Sequence, residues 1–336
     1  MDKFKNVKFC IGPMSKNIVD AIINYVNDTN IKMILIPSRR QIEFDGGYVN
    51  NWTTKEFSEY VRSKTKNIFL ERDHGGPGQG STMDNGIKSL EEDCKYFDII
   101  HIDPWKFYKN YYGGLNSTVE LIKYCYEKNK NLYFEIATEE AIKKFTVDTL
   151  KKLTSDLDER LDKEIYDRII YLVIQSGTAL REGKNIGTYE NTRLNNMVNM
   201  AKKRNFLTKE HNGDWLSDEQ VKDKFSTNLD AINIAPEFGM IETKVILDKL
   251  RKDNNQELIQ KFYKLCYESK KWVKWVSKDF KPEENKEKLI EICGHYVFAK
   301  KEFLEIKNTY NNIDEEIKRT IYDRLLHIHS LIKSPV

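Results

Sequence analysis

NIFLERDHGGPGQG (residues 67–80) and FDIIHIDPW (residues 97–105) decide how the rest of this chain is read. Each holds a short β-branched run that ends in charged and ring-bearing residues, and between them Asp84 to Tyr96 carries amphipathic helical spacing. Strand, polar turn, helix and strand again make one βα repeat. Working outward, the repeat recurs on both sides. Apolar runs fall at Val7 to Ile11, Met33 to Ile36, Ile68 to Leu70, Ile99 to Ile102, Leu132 to Ile136, Ile169 to Ile174, Phe206 to Thr208 and Ala231 to Ile234. Helical patterns lie between them, among them Ser15 to Asp28, Thr53 to Thr65, Asn116 to Lys128, Tyr189 to Arg204 and Ser217 to Asn228, several opening on Ser, Thr, Asp or Asn caps. Glu139 to Arg160 reads as a longer helix broken near Thr154.

Eight strand and helix units in roughly 250 residues match the order and size of a (β/α)8 TIM barrel, which is placed at residues 7–252. A doubly wound sheet needs fewer strands and a glycine-rich first turn. Residues 253–336, rich in Lys, Glu, Leu and aromatics, read as a helical extension packed on the barrel, with one short strand-like run at Tyr296 to Phe298.

The 336 residues carry 55 basic and 52 acidic side chains, and so small a net charge argues against a nucleic-acid groove or an anionic membrane surface. No run approaches a membrane span, and the opening MDKFKNVKFC lacks the apolar core of a secretory signal, so a cytoplasmic protein is expected. Five cysteines with no CxxC spacing read as buried thiols.

In such a barrel the reacting groups follow the C-terminal ends of the strands. Those positions make up roughly 5 to 8% of a chain this long, so fewer than one of six histidines belongs there by chance. Three are found: His74, His101 and His211. Imidazoles beside carboxylates suit zinc or a similar divalent metal that polarises a carbonyl. Asp73 and Glu139 are candidate catalytic carboxylates, and Glu210 lies at the same rim. Asp73 and His74 are neighbours on one strand, so a turn, permitted by Gly75 to Gly78, is needed to bring both into one cavity. Substrate-binding candidates are Arg39, Asp103, Gln175, Ser176, Gly177, Lys209 and Glu237, with Arg40 and Arg72 as further cations. The loops after the sixth and eighth runs are candidate anion sites, and Trp105 and Trp215 are candidate sugar-facing indoles.

Taken together, ILIPSRRQIEFDGGYVNNWTTKEFSEYV (residues 34–61), Asp73-His74, IHID (residues 100–103), ATE (residues 137–139), VIQSG (residues 173–177) and KEH (residues 209–211) resemble the accessory, non-catalytic subunit family of class II tagatose-bisphosphate aldolase. That resemblance covers most of the barrel. It implies a phosphorylated sugar and a class II aldolase catalytic subunit as partners, with a homo-oligomer as a further expectation. The related catalytic aldolases hold zinc with histidines and move protons with an aspartate beside the first of them, a pair matched by Asp73-His74. This chain departs in having Glu71-Arg72 before the pair, Asn212-Gly213-Asp214 after the later histidine, and no histidine after the eighth run. The reading adopted is a metal-dependent lyase cleaving a ketose phosphate through an enediolate, with His74 and His211 as first ligands and His101 or Glu139 completing the set. The alternatives are an accessory subunit that stabilises a separate aldolase, and a sugar-phosphate epimerase or isomerase.

Overall fold

The structure is a computed structural model that describes residues 2–108, 110–137 and 146–332. Eight parallel strands close into a barrel: β1 (Phe9–Ile11), β2 (Met33–Leu35), β3 (Ile68–Gly75), β4 (Ile99–Ile102), β5 (Tyr133–Ile136), β6 (Ile169–Ile174), β7 (Leu207–Glu210) and β8 (Ala231–Ile234). Closure runs through Phe9 paired with Ile232 and Cys10 with Asn233. A helix follows each strand: α1 (Lys16–Thr29), α2 (Thr54–Arg62), α3 (Ile87–Tyr96), α4 (Tyr111–Lys128), α5 (Val147–Arg160), α6 (Asn191–Lys203), α7 (Asp218–Ser226) and α8 (Pro236–Lys252). This is the expected (β/α)8 barrel.

Local chemistry starts these helices where the caps stand. Ser15 accepts from the Ile18 N–H, and Thr53 with Glu56 and Ser217 with Gln220 form reciprocal capping boxes. One apolar layer fills the space between strands and helices. A second, smaller cluster of Phe4, Cys10, Ile34, Ile99, Tyr171 and Leu207 fills the barrel's interior, with Phe4 packed edge-on against Tyr133. With that end stoppered by rings, polar groups gather at the other.

The C-terminal helices are α9 (Gln256–Ser269), α10 (Lys286–Cys293), α11 (Lys301–Lys307) and α12 (Ile313–Ser330). On α12, Ile317, Ile321, Leu325 and Ile328 are fully buried, and His329 stacks on Tyr25 of α1 with ring centroids 5.1 Å apart. All five cysteines are buried and free. Among the described residues no helix is long and apolar enough to cross a membrane.

Three local expectations are corrected, and one feature is new. The α5 helix runs unbroken through Thr154, whose hydroxyl donates to the Leu150 carbonyl 3.2 Å away instead of competing with the helix. Residues Gly294–Val297 form a 3-10 turn, not a strand. The α4 helix begins at Tyr111, ahead of Asn116, because Gly113 and Gly114 lie inside it. Gly114 is required there: a Cβ would lie 2.1 Å from the Trp105 ring. Between β6 and α6 the chain makes a hairpin, Leu180–Arg181 with Lys184–Asn185, that no sequence signal singled out.

Candidate active site

Alternation along β3 sorts its charged residues. Arg72 points out of the barrel and is fully buried, pairing through two nitrogens with Asp93 at 2.7 and 2.8 Å and donating to the Pro37 and Ile42 carbonyls. It is a structural cation, so the expectation that it could meet a phosphate is corrected. Glu71 and Asp73 share the opposite parity and face inward. His74 would then point outward, yet its backbone is left-handed at φ 49° and the β3–β4 register shifts between Arg72 and Gly75. That bulge turns its ring back toward the cavity, at His74 itself and one step before the glycines expected to do so.

Three imidazoles meet at the strand ends. The ring centroids of His74 and His101 are 4.8 Å apart, and each lies 5.3 Å from that of His211. One ligand atom from each of Asp73, His74, His101 and His211 falls within 4.8 Å of the others. The three predicted metal histidines are therefore brought together, with Asp73 among them. Glu139 lies outside the described residues.

Carboxylates behind the rings orient them. Asp103 bonds His74 Nδ1 at 2.6 Å and accepts from Gln79 at 2.9 Å and from the Trp105 N–H at 3.2 Å. It thereby presents His74 Nε2 to the cavity. Glu135, in register with His101 across β4 and β5, bonds His211 Nε2 at 2.8 Å and approaches His101 Nδ1 at 3.5 Å. Deeper still, the Lys209 ammonium sits 2.5 Å from both Glu135 and Glu71, over the face of Tyr171. Burial alone would strip its proton, but Glu135 and Glu71 hold it well above its usual range. Burial and repulsion by Glu135 push Glu71 up, whereas Lys209 and His211 keep Glu135 ionised in spite of burial. The Lys209 ammonium, between the two carboxyl groups, offsets the cost of burying them.

Above the triad, burial opposes the charge on Asp73, but His74, His101 and His211 overcome it and hold the carboxyl below the usual range. Burial likewise works against a charged His74, and Asp73 and Asp103 raise it to about 10. These donors fit a divalent cation. The carboxylates favour positive charge at this point, His101 Nε2 is buried with no hydrogen-bond partner among the described residues, and each of the other two rings is oriented from behind.

The substrate-binding candidates divide differently. Asp103 serves His74. Lys209, expected at the rim, is sealed inside the barrel with its charge matched. Ser176 donates to Glu210 and accepts from Lys224 at 2.8 Å, while Gly177 (φ 104°) touches the backbone of Thr188 closely enough that a Cβ would clash. Gln175 is bridged by Arg193, through its carbonyl at 2.7 Å and its side chain at 3.0 Å. The N-terminus of α8, proposed from sequence as an anion site, is filled by the chain itself: Asp214 Oδ1 accepts from the N–H groups of Ala235 and Glu237, both at 2.8 Å. Glu237 accepts from Trp215 N–H at 2.6 Å and from Arg324 of α12 at 2.7 Å. Arg39 is buried against Glu43 at 2.7 Å and Asp84 at 2.6 Å. Trp105 lies in the core against Gly114 and not beside the cavity, so it is no sugar-facing indole. Glu71, Gln79 and Glu135 were not singled out by sequence. The signal that could have found Glu135 and Glu71 is charge at an inward parity inside an apolar strand.

No protein-family model matches the chain, and no curated protein does. Solved structures do match. A probable tagatose 6-phosphate kinase from Sinorhizobium meliloti 1021 superposes with a TM-score of 0.73 at 11% identity, over 96% of this chain and 98% of that one. What it shares with this chain is the fold. The fructuronate-tagaturonate epimerase UxaE from Cohnella laeviribosi gives 0.66 at 12% identity, over 98% and 81% of the two chains. The YdjI aldolase from Escherichia coli K12 gives 0.61 at 11%, over 99% and 94%.

Proposed function

We propose that this chain is a metal-dependent aldehyde-lyase of the class II aldolase kind, acting on a ketose phosphate through an enediolate. The observation that carries the reading is the convergence of Asp73, His74, His101 and His211 from three strands on one point at the catalytic end of the barrel. Folds shared with a probable tagatose 6-phosphate kinase, an aldolase and a sugar-acid epimerase support sugar chemistry at that point. His74, His101 and His211 would hold the ion, zinc by the chemistry of the donors, and its contribution would be Lewis-acid polarisation of the substrate carbonyl.

The chain's own groups do the rest. Asp73, ionised and one fifth exposed, accepts the proton of the substrate hydroxyl. The carbon-carbon bond then breaks, its electron pair forms the enediolate, and return of a proton to carbon completes the cleavage. Asp103 and Gln79 keep His74 in place, and Glu135 keeps His211 in place, so little reorganisation is needed during the reaction.

The test uses the purified chain without a partner on a panel of ketose phosphates. Cleavage to a triose phosphate and an aldehyde is expected, abolished by a chelator and by His74→Ala with His211→Ala. An epimerised ketose as the product would assign the same site to an epimerase, the alternative favoured by the likeness to UxaE. A chain silent alone that raises the activity of a co-expressed class II aldolase, equally well with both histidines replaced, would contradict the reading and make it an accessory subunit.

A further inference from the structure

The chain after β6 returns on itself as a hairpin, with Leu180 paired to Asn185 and Arg181 to Lys184. Its base is closed tightly: the Ile186 N–H donates to the Ala179 carbonyl at 2.8 Å, and a Cβ on Gly187 would lie 1.9 Å from the Gly177 carbonyl oxygen. At its tip Glu182 and Gly183 are both left-handed, with φ of 51° and 71°, the pattern of a type I′ turn. Gly or Asn adopts that backbone at least cost, so a glutamate there is strained. The C-terminal extension holds it. The Glu182 N–H donates to the Trp275 carbonyl at 2.8 Å, and its carboxylate accepts from the Ser277 N–H at 3.1 Å. Trp275 is fixed in turn, its Nε1 donating to the Tyr296 hydroxyl at 3.1 Å.

The body of the hairpin grips the turn after β7. The Thr178 hydroxyl donates to the His211 carbonyl at 3.1 Å, and Asn185 Nδ2 donates to the carbonyls of Asn212 at 2.9 Å and Asp214 at 3.1 Å. That turn is strained and needs holding: Asn212 and Trp215 are left-handed at φ 57° and 54°. It is also pressed onto β8, since a Cβ on Gly213 would lie 2.0 Å from the Ile232 side chain, and the Gly213 N–H donates to the Asn233 carbonyl at 2.9 Å.

His211 lies where this matters. Pairing of β7 with β6 ends at Ile174 and Glu210, and pairing with β8 ends at Ile232 and Glu210, so His211 stands one residue beyond the sheet on both sides. Glu135 orients its ring, but its backbone is placed by contacts outside the ladder, and Thr178 and Asn185 supply three of them on this turn. A metal site needs its ligands held to within about 0.5 Å by the groups around them. Releasing the backbone of His211 therefore weakens metal binding without altering any donor atom.

We infer that this hairpin is a positioning brace for the site: Thr178 and Asn185 fix the backbone that carries His211, and Glu182 ties the brace to the C-terminal extension. The inference rests on the proposed function for the ion that His211 would hold, and on the hydrogen bonds of the hairpin for the brace itself. It gives the extension a part in the chemistry that its burial of apolar surface does not require.

The test compares wild type with Thr178→Val plus Asn185→Leu, which keep similar side-chain size and remove all three hydrogen bonds to the turn. Hydrogen exchange of the metal-free protein, followed by mass spectrometry, is expected to quicken at least about tenfold over residues 210–216 and to stay unchanged elsewhere. Zinc affinity, read by competition with a chromophoric chelator, should fall about 10-fold to 100-fold, and the visible spectrum of the cobalt(II)-loaded protein should change. Thr178→Ser, which keeps the hydroxyl, should match wild type in all three measurements, and Glu182→Ala should move them in the same direction by a smaller factor. Equal exchange over residues 210–216, or equal zinc affinity, in wild type and the Val/Leu variant overturns the inference. Exchange that quickens throughout the chain would make the hairpin a folding element and overturns it as well. Glu182→Ala matching wild type overturns the tie to the extension. A wild type that binds no zinc, with the local change in exchange still present, would remove the proposed ion and keep the brace, so the two readings fail separately.

Discussion

Glu135 carries more of the site than its place in an apolar strand suggests, because one carboxylate touches His211, lies beside His101 and answers Lys209 from below. Replacing it by Gln keeps the volume but removes the charge that orients His211. Zinc affinity should fall by about 10-fold to 100-fold, read by competition with a chromophoric chelator. Unchanged affinity would mean that Glu135 serves only the charge balance of Lys209. Asp73→Asn addresses the neighbouring question. A positioned acid-base group contributes about 100-fold to 10,000-fold, so turnover should drop by that range while metal content stays near the wild-type value. Loss of both together would make Asp73 a ligand and not the proton carrier. At this scale the sequence displayed the residues that end strands, Asp73, His74, His101 and His211, since polar side chains there interrupt β-branched runs. It concealed Glu71 and Glu135, and misplaced Lys209, because parity inside a strand is visible only once the neighbouring strands fix which face is inside.

Between elements, the start of α1 is tied to α8 through Glu242, which accepts hydrogen bonds from Ser15 and, at 2.9 Å, from Asn17. Burial pushes the Glu242 carboxyl up to about 7 against those two donors. Because its folded value exceeds its unfolded value, near 4.5, the folded state holds the extra proton, and the stability this contributes is complete below about pH 4.5 and lost as pH rises through about 7. The swing is up to roughly 3 kcal/mol. Thermal unfolding followed from pH 5 to pH 8 should show a falling Tm, with a shallower fall in Glu242→Gln. An equally steep fall in both proteins would place the titration elsewhere. Element order and type were readable in the sequence because period-two and period-3.6 patterns alternate cleanly. The start of α4 was not, since a Gly-Gly pair signals a break unless a ring such as Trp105 packs against it. The hairpin at residues 180–185 was hidden for a related reason: its close approach depends on contacts of Gly177 and Gly187 with the backbone.

Across the whole molecule, the barrel and its C-terminal helices share one apolar core. Four fully buried side chains of α12, Ile317, Ile321, Leu325 and Ile328, contribute roughly 6 to 12 kcal/mol by area, comparable with the roughly 5 to 15 kcal/mol that hold a whole domain. A chain ending at residue 312 should therefore fail to give a cooperative unfolding transition, and a truncated protein that melts sharply near the wild-type Tm would show the barrel to be self-sufficient. The barrel also explains how histidines far apart in sequence become one site, with β3, β4 and β7 delivering their rings to the same end of a closed sheet. That convergence is the central claim, and metal content tests it most directly. Protein exposed to zinc, dialysed and measured by mass spectrometry should retain about one zinc per chain, and His74→Ala with His211→Ala should retain almost none while still folding. No retained zinc in the wild type, or the same amount in the variant, would contradict it.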